Sequence, residues 1–260
     1  MNTTRSPLRY PGGKTRGIMT IRDKITKLFP VAHDEKVRVI SPFFGGGSLE
    51  LALLHESWCV QICANDLFAP LINFWQVAQS DRANLCAICR ARRPVSREKF
   101  MKMRARLNVD TNRTESAADY FAINRSSFNG AAHCGGFYRE AAQKRFNANS
   151  IARLRAVDLT NITFSCEDAL AFIPRIFREP DIMYLDPPYY GAKYSHCDFD
   201  HVALRDLLRE LPSKRWIMSY GDCPYIRELY DADHFKIKSV SWSYCMTRRE
   251  SSEILIYPRV

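Results

Sequence analysis

The chain has 260 residues, of which 46% are hydrophobic and 25% are charged. This balance fits one large globular domain, or a domain with one insertion, and it excludes a largely disordered, collagen-like or coiled-coil protein. Lysine and arginine number 38 against 28 aspartates and glutamates, which gives a formal charge of +10. Such an excess favours a polyanionic partner, with a basic surface on an ordinary enzyme as the alternative.

The nine cysteines are scattered along the chain, and only Cys86 and Cys89 form a C-x-x-C pair. Cysteines three apart on a helix-like stretch share one face, so we expect burial rather than metal binding. The first seven residues lack the apolar core of a signal peptide, and no uncharged apolar run has the length of a membrane span. These features predict a reduced, cytoplasmic protein.

The positive charge is concentrated in the middle of the chain. Residues 68–160 carry 16 lysines and arginines against 7 acidic residues, whereas residues 1–67 carry 9 against 6 and residues 161–260 carry 13 against 15. Arginine dominates the basic segment, and its guanidinium suits phosphate and base-edge contacts. The partition predicts a nearly neutral scaffold, residues 1–67 and 161–260, interrupted by a basic insertion, residues 68–160.

Strand and helix patterns alternate in the two flanking segments. Short apolar runs predict strands, and apolar residues at helical spacing predict helices at 49–54 and 204–211. The strands are expected at residues 37–40, 60–64, 182–185, 216–219, 235–240 and 254–256. In the basic segment, helix-like stretches occur around 97–107 and 150–157. Alternating strands and helices predict an α/β protein with a doubly wound sheet.

A glycine cluster follows the first predicted strand, in the segment Pro42-Phe-Phe-Gly-Gly-Gly47. A strand, clustered glycines and a helix start allow a ligand to approach the backbone closely. Asp66 follows Gly45 by 21 positions, where a Rossmann-like fold places an acidic side chain on a ribose diol. The pattern departs from G-x-G-x-x-G because Glu50 replaces the last glycine. It therefore indicates either a nucleoside-containing cofactor or a plain tight turn.

A second glycine pair lies in Tyr10-Pro-Gly-Gly-Lys14. Together with Thr15, this segment resembles the last residues of a P-loop motif. The first glycine of a P-loop would fall at Leu8, and no apolar strand precedes it, so the segment does not predict an NTPase. The segment is interpreted as a turn that carries Tyr10 and Lys14 to a cleft, or as a surface loop.

The segment Asp186-Pro-Pro-Tyr189 follows a predicted buried strand. Ligands of open α/β sheets bind at the carboxyl ends of strands. Proline rings stiffen the backbone and donate no amide hydrogen, so a carboxylate, a fixed carbonyl and an aromatic ring converge within four residues. These groups can hold a flat base that bears an amino group.

Taken together, these motifs resemble the Dam-type DNA adenine methyltransferases, which use S-adenosylmethionine (SAM). The resemblance runs from about residue 7 to 257, in the family's order of cofactor loop, recognition insertion and catalytic tetrapeptide. Besides the segments above, the matching residues are Asn65-Asp66, Asn124-Arg-Ser-Ser-Phe-Asn-Gly130, Phe137-Tyr-Arg139 and Asp168. The resemblance implies a Rossmann-like mixed sheet of seven strands, with helices on both faces, a final antiparallel hairpin and a mainly helical DNA-recognition insertion.

The resemblance also implies roles for individual residues. The implied cofactor-binding residues are Tyr10, Lys14, Phe44, Gly45, Asp66, Asp168 and Asp186. The implied catalytic residues are Asp186, Pro187 and Tyr189. The candidates for DNA contact are Arg125, Asn129, Arg139 and Arg248, although the stretch 124–130 has the alternative interpretation of holding the insertion on the core. No metal is implied.

The resulting hypothesis is methyl transfer from SAM to the exocyclic amine of an adenine flipped out of duplex DNA. Methylation of the cytosine amine, methylation of RNA and a catalytically inactive DNA-binding relative stay open as alternatives. The resemblance further implies a bacterial or phage origin and a protein that is a monomer or dimerises on DNA. The sequence does not reveal the target site, because base readout depends on which side chains reach the base edges.

Overall fold

The computed structural model describes residues 5–10, 14, 17–107, 113–132, 134–191, 199–230, 232–243 and 250–259. Within these residues the centre of the molecule is a seven-stranded sheet in the order β3-β2-β1-β4-β5-β7-β6. The strands are β1 Val37–Ser41, β2 Cys59–Asn65, β3 Ile162–Ser165, β4 Ile182–Leu185, β5 Trp216–Gly221, β6 Phe235–Ser243 and β7 Glu250–Pro258. The first five strands are parallel, and β7 is antiparallel to both β5 and β6.

Helices cover both faces of this sheet and fill the segment between β2 and β3. The helices before β3 are α1 Ile18–Leu28, α2 Glu50–Leu53, α3 Ala69–Ser80, α4 Arg82–Ala91, α5 Arg97–Arg106, α6 Arg113–Ser126, α7 Arg139–Lys144 and α8 Ala148–Ala156. Those that follow it are α9 Ala169–Ile176, α10 His201–Glu210 and α11 Pro224–Leu229. The predicted α/β class, the mixed sheet and the final hairpin are confirmed.

Neighbouring residues of one strand point into two different cores. Val39 of β1 belongs to a core shared with α1, α3 and α6, whereas Ile40 belongs to a core shared with α9, α10 and α11. Alternation of side chains across a strand produces this division. Because both faces are covered by helices, the central strand β4 is apolar and buried throughout, which is the pattern that made it recognisable in the sequence.

The helices α3–α8 occupy the segment that the sequence predicted to be a basic insertion. Its central helix, α6, buries every residue from Ser116 to Ser126 because α3, α4, α5 and α7 pack around it. Asp119 of α6 is fully buried and forms ion pairs with Arg92 and Arg106. Part of the positive charge of this segment therefore has a structural use inside it. The exact domain boundaries stay a prediction.

Strand β3 was not predicted. Its sequence, Ile162-Thr-Phe-Ser165, buries only Ile162 fully, since β3 lies at the edge of the sheet. The predicted helix at 49–54 is a single turn, α2, and the remaining predicted elements lie within a few residues of the observed ones. Within the described residues, no helix is both long and apolar enough to cross a membrane.

Candidate active site

A cavity of about 400 Å³ lies at the carboxyl ends of β1, β2 and β4, where a doubly wound sheet binds its ligands. Its size is that of a small-molecule site. The structure brings all nine predicted cofactor-binding and catalytic residues to its wall. They are Tyr10, Lys14, Phe44, Gly45, Asp66, Asp168, Asp186, Pro187 and Tyr189.

Two aromatic rings explain the glycines of the loop that follows β1. Gly45 and Gly47 have positive φ angles of 49° and 62°, which side chains other than hydrogen rarely tolerate. A Cβ atom on Gly45 would lie 2.8 Å from Cε1 of Tyr10, and one on Gly47 would lie 2.5 Å from Cζ of Phe44. The glycines therefore make room for the protein's own aromatic side chains at the cavity wall.

Asp66 connects the end of β2 to this loop. Its Oδ2 accepts a hydrogen bond from the Gly45 amide at 2.9 Å, and its Oδ1 accepts one from the Phe68 amide at 3.0 Å. Burial raises the pKa of the Asp66 carboxyl, and these two amide bonds oppose that shift. Each carboxylate oxygen has a second lone pair, so Asp66 can also accept hydrogen bonds from a ligand in the cavity.

Asp168 also lines the cavity and is the N-cap residue of α9. Its Oδ1 caps the helix by accepting a hydrogen bond from the Leu170 amide at 2.8 Å. The side chain is exposed. The helix cap therefore uses one oxygen of a carboxylate that lines the cavity.

Asp186 and Lys14 form the charged centre of the site. Nζ of Lys14 lies 2.7 Å from Oδ1 and 2.9 Å from Oδ2 of Asp186, and the hydroxyl of Ser219 donates to Oδ1 at 3.1 Å. Lys14 is almost fully buried, whereas 25% of the Asp186 side chain is exposed. Glu253 on β7 is a second carboxylate near Lys14, with Oε2 3.9 Å from Nζ.

The Tyr189 side chain is held by β5 and β7. Its ring stacks on the ring of Tyr220, with 5.0 Å between centroids and 19° between planes. Its hydroxyl donates to Oε2 of Glu253 at 3.1 Å, and a Cβ atom on Gly221 would come within 2.9 Å of its ring. Nζ of Lys14 lies 4.9 Å from the ring centroid. Contacts from three parts of the chain therefore determine where this ring stands.

Sequence reasoning missed four polar residues at the site, namely Glu50, Ser219, Tyr220 and Glu253. Glu50 lines the cavity, is 3% exposed and accepts a hydrogen bond from the Ser41 hydroxyl at 2.7 Å. Burial raises the pKa of Glu50 to about 7. For three of these residues, the position next to a predicted strand was the signal that could have identified them. Ser219 ends a predicted strand, Tyr220 follows it, and Glu253 directly precedes another.

The predicted DNA contacts fall in different environments. Arg125 is buried, and its guanidinium donates to the carbonyl of Arg145 from Nε and Nη2, at 2.9 and 2.8 Å, and to the carbonyl of Pro7 from Nη1 at 3.3 Å. This bonding favours the alternative interpretation, in which the stretch holds the insertion on the core, over a DNA contact by Arg125. Asn129 and Arg139 are exposed, and Arg248 lies outside the described residues.

Asn124 has the same structural use as Arg125. Its amide nitrogen donates to the carbonyls of Arg9 and Gly130, at 2.6 and 2.8 Å, and its carbonyl accepts from the Arg9 amide at 3.0 Å. Between Asn124 and α7, the exposed rings of Phe128 and Tyr138 form a T-shaped pair with 5.7 Å between centroids. This exposed pair belongs to the same loop as Gly130–Ala132, which lines the cavity.

The C-x-x-C pair is buried, as predicted. Cys86 and Cys89 are free cysteines on α4, and burial raises the pKa of both thiols. In the part of the chain that the structure describes, no cluster of three or more histidine, cysteine, aspartate or glutamate side chains is arranged to hold a metal ion.

The comparison with protein families identifies the chain. The model of the D12 class N6 adenine-specific DNA methyltransferases matches residues 10–246. The chain belongs to this family. It is a SAM-dependent methyltransferase specific for the N6 position of adenine, and the predicted Dam-type resemblance is confirmed.

Solved structures with similar folds include the rRNA methyltransferase aviRa from Streptomyces viridochromogenes. It is 16% identical, with 96% of this chain and 86% of that chain covered and a TM-score of 0.43. Another is a putative methyltransferase from Streptococcus mutans in complex with SAH, 10% identical, with 93% and 97% covered and a TM-score of 0.40. No curated protein matches. With both TM-scores low, the identification rests on the family match.

The residues at the cavity fit the cofactor that the family uses. Asp66 has lone pairs available for the two hydroxyls of a ribose, and the aromatic side chains of Phe44 and Phe68 supply apolar walls. The carboxylate of Asp186 brings negative charge to the cavity wall, which suits a positively charged sulfonium.

Proposed function

We propose that this protein methylates the exocyclic amine of an adenine that has been turned out of duplex DNA into the cavity at Asp186-Pro-Pro-Tyr189. The observation that carries the proposal is the pair of hydrogen-bond acceptors at the end of β4, which lies beside a cavity suited to SAM. When bound, SAM would supply a methyl group on a sulfonium: the S–CH3 bond breaks as the N–CH3 bond forms, S-adenosylhomocysteine is the leaving group, and one hydrogen of the amine departs as a proton.

Hydrogen-bond accounting identifies the two acceptors. Oδ1 of Asp186 already accepts from Lys14 and Ser219, whereas Oδ2 accepts from Lys14 alone and retains one lone pair. Within the described residues, no group donates to the carbonyl of Pro187. An amine has two hydrogens, so Oδ2 of Asp186 and the Pro187 carbonyl together satisfy both.

These two hydrogen bonds serve the chemistry as well as binding. The lone pair of an adenine amine is delocalised into the ring, which makes the amine a poor nucleophile. Acceptors that hold both hydrogens favour a tetrahedral nitrogen and direct its lone pair toward the methyl group. Fixing the attack in line accounts for most of the rate, because orientation alone supplies large effective concentrations.

Tyr189 supports the base itself. Removing an adenine from the duplex costs a few kcal/mol of stacking and pairing, and an aromatic ring beside the base offsets part of that cost. One face of the Tyr189 ring is covered by Tyr220, and the residue lines the cavity. A base that enters the cavity therefore meets a ring whose orientation is already determined.

The DNA backbone is proposed to bind along the basic segment between β2 and β3. Its exposed basic side chains include Arg139 at the start of α7, and Asn129 and Phe128 are exposed on the loop that reaches the cavity. If about five phosphates are neutralised, the logarithm of affinity falls against the logarithm of salt with a slope of about −4 to −5.

The test is methylation of plasmid DNA by the purified enzyme, followed by digestion and mass spectrometry of the nucleosides. We expect N6-methyladenine in the wild type and loss of the product in Asp186→Asn, with normal yield in the control Asp206→Asn on the outer surface of α10. N4-methylcytosine as the product, or a preference for RNA over duplex DNA, would contradict the proposal.

Base flipping has its own test once modified-base sequencing has located the target site. Replacing the target adenine with 2-aminopurine should give a fluorescence increase when the enzyme binds, because the analogue is quenched while it is stacked. The increase for each flipped base should be larger in Tyr189→Ala, because no tyrosine ring then stacks on the analogue and quenches it. An unchanged fluorescence signal from duplex bound to both the wild type and Tyr189→Ala would refute flipping.

A further inference from the structure

The aromatic cluster behind the catalytic segment contains a hydroxyl with three partners. Tyr220, the residue after Ser219 on β5, is 1% exposed and lies under Tyr189. Its hydroxyl oxygen lies 3.0 Å from the Pro188 carbonyl, 3.0 Å from the Tyr190 amide nitrogen and 2.8 Å from Nδ1 of His201. These partners come from two different segments, the catalytic turn and the first residue of α10.

The donor and acceptor capacities of the three partners constrain the positions of the hydrogens at this hydroxyl. The Tyr190 amide can only donate and the Pro188 carbonyl can only accept, so if all three contacts are hydrogen bonds, the single hydroxyl hydrogen goes to Pro188. The hydroxyl oxygen has two lone pairs, of which one accepts from Tyr190. His201 must therefore donate from Nδ1 to the other, which requires a hydrogen on Nδ1. Burial raises the pKa of Tyr220, so the phenol keeps the hydrogen that it donates.

The two backbone groups held by this hydroxyl flank Tyr189. One is the carbonyl of the residue before it, and the other is the amide of the residue after it. The same side chain also stacks its ring on the ring of Tyr189. Tyr220 thus fixes both the backbone and the side chain of the residue that is proposed to support the flipped base.

We propose that Tyr220 is a positioning residue for the reaction: it holds the Pro188–Tyr190 turn so that the Pro187 carbonyl and the Tyr189 ring stand ready for the base. The inference rests on the proposed function and extends it to a residue outside the catalytic tetrapeptide. Pro187 itself lines the cavity, and within the described residues no group donates to its carbonyl.

The main test is Tyr220→Phe, which keeps the stacked ring and removes only the hydroxyl. We expect the single-turnover methylation rate at saturating SAM and DNA to fall about tenfold to a hundredfold, the range that small misplacements of reacting groups produce. The dissociation constant for SAM, measured by calorimetry, should change less than about twofold, because the proposed cofactor-binding residues other than Asp186 lie outside this segment of the chain. A rate close to that of the wild type would overturn the proposal.

Tyr230→Phe is the matched control. Tyr230 is also 1% exposed and packs in the same core, but its hydroxyl contacts only the sulfur of Met218, at 4.0 Å, among the described residues. Loss of a buried hydroxyl by itself should therefore leave the methylation rate unchanged. Equal loss of rate in both variants would mean that general destabilisation, and not the turn, explains the effect of Tyr220→Phe.

A second measurement does not depend on activity or on the folding of any variant. Nitrogen-15 NMR of the wild-type imidazoles, above the pKa of His201, should show His201 with its hydrogen on Nδ1. Burial lowers that pKa, so the neutral ring is accessible near pH 7. A hydrogen on Nε2 would mean that Tyr220 donates to His201 and releases the Pro188 carbonyl, which refutes the positioning role. A wild type without adenine methylation would refute the proposed function instead and leave this arrangement of hydrogens standing.

Discussion

The ion pair between Lys14 and Asp186 offers the sharpest quantitative test of the site. The perturbation is a double-mutant cycle in which Lys14→Met and Asp186→Asn are made separately and together. Each substitution keeps the approximate size of the side chain while it removes the charge. The cycle isolates the interaction of the two groups from the costs that each substitution has alone.

The structure sets the size of the expected coupling. Two unit charges about 3 Å apart interact by about 5 kcal/mol at an effective dielectric constant near 20. Asp186 is 25% exposed and Lys14 only 3%, so water screens part of this interaction, and we expect a coupling of about 2–4 kcal/mol. Exposed surface pairs give about 0.2–1 kcal/mol, well below this range.

The single variants should also differ from each other. Asp186→Asn leaves a buried ammonium whose nearest remaining carboxylate is Glu253 at 3.9 Å, which costs about 3 kcal/mol. Lys14→Met leaves a partly exposed carboxylate that still accepts from Ser219, and it should cost less. The asymmetry follows from the difference in burial between the two partners.

The assay is urea unfolding of the four ligand-free proteins at pH 7, followed by two spectroscopic probes to check two-state behaviour. A coupling below about 1 kcal/mol would show that the pair is effectively exposed in solution. A larger loss of stability in Lys14→Met than in Asp186→Asn would refute the assigned burial. Either result would also remove the argument that only Oδ2 of Asp186 can accept a hydrogen bond from the amine of the base.

Three further predictions follow from the site and the insertion. Burial raises the pKa of Glu50 from 4.5 to about 7. The protonated Glu50 therefore contributes to the free energy of unfolding below pH 4.5. This contribution, at most about 3 kcal/mol, is lost as the pH rises to 7. Urea unfolding at pH 5 and pH 7.5 should therefore show a smaller pH-dependent loss in Glu50→Gln, and equal losses would contradict the shift. Gly47→Ala should destabilise the protein by about 1–3 kcal/mol, because the φ angle of Gly47 is 62° and a Cβ atom would meet Phe44. It should also weaken SAM binding, measured by calorimetry. Unchanged stability would count against the loop conformation. Arg125→Met should lower the free energy of unfolding by about 2–3 kcal/mol, since it leaves the buried Pro7 carbonyl and the Arg145 carbonyl without their donor. Arg139→Gln should leave stability unchanged and reduce the salt slope of DNA binding by about 1. The reverse pattern would make Arg125 the DNA contact.

Local sequence patterns predicted six of the seven strands of the sheet and the helices α2, α4, α5, α8 and α10, but not α1, α3, α6, α7, α9 and α11. Continuous apolar runs such as 182–185 predicted buried parallel strands, because a strand covered on both faces has no polar alternation. Strand β3 was missed because it lies at the edge of the sheet. An edge strand of four residues needs only one fully buried side chain, so it has no continuous apolar run. The helix α6 gives no amphipathic signal because it is buried around its whole circumference.

The residues of the candidate site also form two groups: those that sequence motifs predicted and those that only the structure revealed. Motifs of adjacent residues, such as Asp186-Pro-Pro-Tyr189, and the spacing between Gly45 and Asp66 are properties of the chain itself, and they sufficed to predict which residues line the cavity. The partners of those residues come from far along the chain. Glu253 lies 64 positions from Tyr189, and Arg125 lies 118 positions from Pro7.

The sequence alone therefore determined the fold class and the membership of a SAM-dependent methyltransferase family, because these depend on short motifs and on their order along the chain. Only the tertiary structure decided that Arg125 is a core residue and that Tyr220 holds the turn at Tyr189. Those outcomes depend on which surfaces the packed helices and strands leave open to solvent. A guanidinium that binds phosphate and one that binds buried carbonyls have the same local sequence signature, and packing is what distinguishes them.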